Sequence, residues 1–119
     1  MGAVTARSGF AHRAVLALSP GTDRAAPGAA VTVELCGHWE HQPPCPLAPH
    51  HTAVDGADDA LGVRVVFAAA PDDETEVRRR IEAALAGGEP HWRLLDSGAA
   101  TLRDDERELA DRLADQSSV

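Results

Sequence analysis

Apolar and polar positions alternate most cleanly in LGVRVVF, where Leu61, Val63, Val65 and Phe67 fall on one face, the period of two that marks a strand. The same period runs through AVTVELCGHWEH. There Val31, Val33 and Leu35 alternate with Thr32, Glu34 and Cys36, which predicts a half-buried strand. Continued, the alternation sets Cys36 and His38 on one face and Trp39 and His41 on the other, with Gly37 permitting a bulge. RAVLALS, Arg13 to Ser19, and HWRLLDSG, from His91, predict two more strands, and the turn-rich PGTDRAAPG follows the first.

The pattern changes to a helical one in PDDETEVRRRIEAALAGG. Asp73 and Glu76 form a candidate capping pair, acidic residues occupy the first turn, and Gly87-Gly88 ends the helix. Its apolar stripe is Val77, Ile81, Ala84 and Leu85, and the triple arginine Arg78–Arg80 is expected on the solvated side. A second amphipathic helix spans Leu102 to Ala114 with Leu109, Ala110 and Leu113 inward, and Asp104, Asp105 and Glu106 suit its positive N-terminal turn. From Gln42 to Ala60 four prolines exclude helix and inner strand.

These elements predict an α+β (or small α/β) domain: a three- to four-stranded sheet with two helices on one face, in the order β-β-long loop-β-α-β-α. A right-handed crossover would set the strands near residues 61–67 and 91–98 parallel. Residues 1–12 are expected to be a flexible arm, and 13–119 a single domain with a Pro/His/Cys-rich loop at 38–60.

Composition narrows the function. The chain has 119 residues, room for one core. Its aromatic share of 3% leaves that core to Val, Leu, Ile and Ala. The formal net charge of −8 argues against nucleic acid and anionic membrane, whose binding needs cationic surface. No membrane-spanning run or secretory leader is expected, which suits a cytoplasmic protein with another protein as partner.

The candidate chemistry lies in CGHWEHQPPCPLAPHH. Randomly placed, about one of the eight Cys and His residues would fall in such a 16-residue window; six do. Thiolate and imidazole suit zinc, or copper under reducing conditions. Cys36, His38, Cys45 and His50 are the expected ligands, with His41 and His51 beside them. Such a metal would tie down the proline-rich loop, making the chain a small accessory metal-binding protein, although the spacing repeats no familiar zinc motif. Two other functions fit the same residues. One is a metal-free module whose loop binds a partner. The other is a small thiol- or metal-dependent enzyme, with Cys36 and His38 as a thiolate–imidazolium pair oriented by Glu34 or Glu40, or with Glu40 as base at an open metal site. Cys36 and Cys45 could instead close a small disulfide loop. Trp39 and Trp92 are expected as core or cleft-wall side chains, and His91 as a surface histidine.

Overall fold

The computed structural model describes residues 7–36 and 48–116. Their elements are β1 Ser8–Leu18, α1 Ala26–Cys36, β2 His50–Asp55, β3 Leu61–Ala69, α2 Glu74–Ala86, β4 Trp92–Ala100 and α3 Arg107–Gln116. The strands form one sheet in the order β2-β3-β1-β4, and every neighbouring pair is antiparallel. The fold is α+β. β1 and β2 run the same way with β3 between them; β3 and β4 run the same way with β1 between them. Two such split β-α-β units make the β-α-β-β-α-β arrangement of ferredoxin-like domains. No helix among the described residues is long and apolar enough to cross a membrane.

One face of the sheet carries the main core. Leu16, Leu61, Val65 and Phe67 meet Val31 and Leu35 of α1 and Val77, Ile81 and Leu85 of α2, all buried. The alternation along LGVRVVF and the stripe on α2 are thus as expected. The opposite face carries α3, where Ala110 and Leu113 rest on Val66 and Ala68. A Cβ on Gly9 would stand 2.5 Å from that of Ala110, so β1 admits α3 at this crossing because it has no side chain there.

Several expectations are corrected. The segment expected as a second strand is α1. Its buried residues Pro27, Val31 and Leu35 recur every four positions, and the out-of-step Val33 stays 46% exposed. Pro27 stands in the first turn, where its missing N–H costs nothing, and the Asp23 carboxylate accepts from the Ala25 N–H at 2.9 Å just before it. Ser8 to His12, expected in a flexible arm, belong to β1. β2 lies inside the stretch expected to be irregular; its proline, Pro49, precedes its first residue on an edge strand, where a missing N–H is tolerated. The two helices expected on one face lie on opposite faces, because α1 is the companion of α2. Around β3 and β4 the expected parallel relation holds, with β1 inserted between them.

At the start of α2, Asp73 makes no capping bond through its side chain. A 3-10 turn, Pro71–Asp73, leads into the helix, and Asp73 is itself helical at φ −94° and ψ −5°, whereas a cap needs extended backbone. Glu76 instead takes Arg79 and Arg80. Arg78 is not on the solvated side. It folds over β1, donating to the Ala11 carbonyl at 2.6 Å and lying over the rings of Phe10 and Phe67.

Candidate functional site

The Cys/His cluster does not assemble among the described residues. His38, His41 and Cys45 lie outside them, as do Gly37, Trp39 and Glu40; Cys36 ends α1, a helix rather than the expected strand. His50 is occupied on both ring nitrogens. Nδ1 donates to the Ala48 carbonyl at 3.0 Å, and Nε2 lies 2.9 Å from the Thr32 hydroxyl on α1. The imidazole thus ties β2 to α1, and burial pushes its pKa down. His51, the next residue on the strand, belongs to the opposite face, so the two rings cannot meet at one ion. Among the described residues no group of three or more His, Cys, Asp or Glu side chains is placed to hold a metal. That finding overturns the reading of the chain as a zinc- or copper-binding accessory protein.

The structure brings other residues together on the α3 side of the sheet. Residues opposite one another on neighbouring strands share a face, with Cβ atoms about 5 Å apart. One row across β4, β1, β3 and β2 reads Asp96, Val15, Gly62, Asp55; the next reads Gly98, Arg13, Arg64, Ala53; the third reads Ala100, Ala11, Val66, His51. α3 covers only one end of this face. The remainder is a groove of about 430 Å³, floored by Arg13, Val15, Ala53 and Arg64 and walled by Arg103 and Glu106. The small side chains in each row leave its depth.

Arg13 and Arg64 stand side by side in the second row, and two cations so placed repel. Each has a carboxylate. Arg64 is gripped through two bonds by Glu106, Nε to Oε2 at 2.5 Å and Nη2 to Oε1 at 2.8 Å, and also donates to the Thr101 carbonyl at 2.6 Å. Both side chains are mostly buried, 17% and 13% exposed. The Arg64 hydrogen bonds hold the Glu106 carboxyl well below its ordinary range, at about 2. Glu106 also accepts from the Arg103 N–H at 2.8 Å. One carboxylate thus fixes the turn that starts the wall. The other pair, Arg13 and Asp96 at 2.7 Å, is about half exposed, so water screens its attraction far more than that of Arg64 and Glu106. Asp55 leans over the floor, since a Cβ on Gly62 would lie 2.8 Å from its Oδ1. The sequence reading missed this site. The signal present was a polar row, Gly62 and Arg64, alternating with the apolar residues of LGVRVVF.

A second polar cluster joins α2, β1 and β4. His12 is 4% exposed, with Nε2 2.9 Å from Ser97 Oγ and Nδ1 3.2 Å from Arg78 Nη1. A guanidinium can only donate, so Nδ1 accepts and Nε2 carries the proton toward the serine. That is the reverse of what a base activating a hydroxyl requires. The arrangement is structural, and burial first, then Arg78, push the His12 pKa down.

The pH consequence follows. Above pH 6.5 both histidines are neutral in folded and unfolded chains. Below it the unfolded chain binds protons that the folded chain resists at His12 and His50, so stability falls as pH drops, with a limiting slope of about 1.4 kcal/mol per pH unit for each. His12→Gln keeps an acceptor and a donor and is expected to remove its share. Urea unfolding at pH 7.5, 6.5 and 5.5 measures it; equal slopes in variant and parent would show that His12 is not the cause.

Comparison of the chain with protein-family models, curated proteins and solved structures finds no match.

Proposed function

We propose that this chain is a small-molecule-binding domain and that its site is the groove beside α3. One observation carries the proposal: α3 leaves part of a charged sheet face uncovered, and the Arg13–Arg64 pair lies on that floor. The chain has a net charge of −8, yet three arginines and three carboxylates line the groove, so it is locally balanced. Its volume lies within the ordinary range of ligand sites, about 300–1,000 Å³, and such sites combine an apolar surface with a few fixed polar groups. Val15, Ala53, Val66 and Leu109 supply the first and the Arg64–Glu106 pair the second.

A screen of small polar metabolites by two-dimensional ¹⁵N–¹H NMR tests this. Binders are expected to shift the amides of His51, Gly62, Arg64 and Leu109 together. A screen in which no compound shifts that set, or in which binders shift only α1 and α2, would overturn the proposal.

A further inference from the structure

Thr32 of α1 and His50 of β2 share a proton whose direction is defined. A carbonyl can only accept, so the 3.0 Å bond from His50 Nδ1 to Ala48 places the ring proton on Nδ1. Nε2 then has only a lone pair to offer. The 2.9 Å contact between Nε2 and Thr32 Oγ1 therefore holds one proton, that of the hydroxyl, which Thr32 donates to the imidazole. The Gly28 carbonyl, one helical turn back at 3.1 Å, competes for it. A hydroxyl turned that way, however, would set two lone pairs against each other across the 2.9 Å contact. The polarity is the reverse of that at His12 and Ser97. A hydroxyl, a base that accepts from it and a third group that fixes the tautomer of the base are the parts of an activated nucleophile.

Both side chains can be reached. Each is partly exposed, and they line one pocket of about 370 Å³ together with Arg24, Ala25, Gly28 and Val54. A Cβ on Gly28 would stand 3.3 Å from Thr52 Cγ2, so α1 lies this close to β2 because it has no side chain there. No carboxylate lines the pocket among the described residues, and Arg24 brings a positive charge. That sign suits the negative charge that develops on an ester carbonyl oxygen under attack.

We propose that Thr32 is a catalytic nucleophile with His50 as its general base, and that this pocket takes small esters with a short acyl group. The Thr32 oxygen bonds to the ester carbonyl carbon while its proton passes to Nε2. The carbon–oxygen bond to the alcohol then breaks, and the departing oxygen takes that proton. Water attacks the acyl-threonine with the same base, releasing the acid and restoring the hydroxyl. The site lies between α1 and β2, apart from the groove beside α3, and does not depend on the groove taking a ligand.

The test uses p-nitrophenyl acetate on the full chain. Absorbance follows release of p-nitrophenol, and mass spectrometry with fragmentation locates the acetyl group left behind. An acetyl on Thr32 is expected, formed about a hundredfold faster than in His50→Gln, the lower end of what a positioned base contributes. Thr32→Val keeps the shape and loses the hydroxyl, so it should slow release to the level of the chain unfolded in urea, whereas Thr32→Ser should retain it. His50→Gln also removes a tie between β2 and α1; should it unfold the chain, Thr32→Val decides, its amide spectrum being expected to match that of the parent. Release no faster than from the unfolded chain would overturn the proposal, as would release that Thr32→Val leaves unchanged. Acetyl found only on other residues, or equal acetylation of Thr32 with and without His50, would overturn it too.

Discussion

Gly88→Ala is expected to destabilise the folded chain by about 3 kcal/mol, a core overpacking effect with a broken hydrogen bond added to it. A Cβ there would lie 1.9 Å from Cε2 of Trp92 and 2.2 Å from its Nε1. The indole is 6% exposed and donates to the Leu85 carbonyl at 2.8 Å, so it both fills the core and ties β4 to the last turn of α2. The ring cannot step aside without giving up that bond. Urea unfolding followed by tryptophan fluorescence measures the loss. Gly98→Ala is the control: its Cβ meets only Arg13 Nη2, at 3.7 Å, and the change is expected to be nearly neutral. If both substitutions behave alike, the indole is not held as described.

Glu106→Gln is expected to cost about 3 kcal/mol and to loosen the wall of the groove, because it leaves the Arg64 guanidinium mostly buried beside a neutral amide. The substitution also carries a pH signature. A carboxyl held at about 2 in the folded chain, against 4.5 ordinarily, gives stability that is fully present above pH 4.5 and lost as pH falls from 4.5 toward 2. In the variant that part of the acid sensitivity should be gone, while the histidine-linked loss below pH 6.5 remains. The double variant Arg64→Met/Glu106→Met should recover most of the stability, since apolar side chains of similar size can replace a buried pair. Unfolding free energies of parent, single and double variants between pH 7 and 3 decide it. A single variant as stable as the parent would show the pair to be solvated and the wall to be held by α3 packing alone.

The elements that could be read from the sequence are those whose signals are local. β3 follows its period of two without interruption, and α2 has a stripe and a glycine stop. α1 was hidden because Val31, Thr32 and Val33 are β-branched and alternate with polar neighbours; the deciding facts were Pro27 and burial against α2, and tertiary packing overrides a weak propensity. β2 was hidden because it has six residues, only Thr52 and Val54 favour a strand, and its partner strand does the rest. The proposed site was hidden for a different reason. Arg64 and Glu106 are 42 positions apart, Arg13 and Asp96 are 83 apart, and no spacing rule links residues so distant. The histidine cluster was visible only as composition, and the alternation that turns His50 and His51 to opposite faces exists only because they begin β2, the strand with the weakest local signal.

The place of β1 at the centre of the sheet also fixes when the fold can close. β1 leaves the ribosome before either strand that flanks it, and at ~5–20 residues per second β4 follows on the order of ten seconds later. For that time the nascent strand has one or both hydrogen-bonding edges open, the condition in which chains stick to each other. His12 and Arg13 interrupt its apolar run at the midpoint, as charged and polar residues do in segments that must wait. Closure of the sheet therefore waits for β4, which slides in beside β1 only after β3 has taken the other edge.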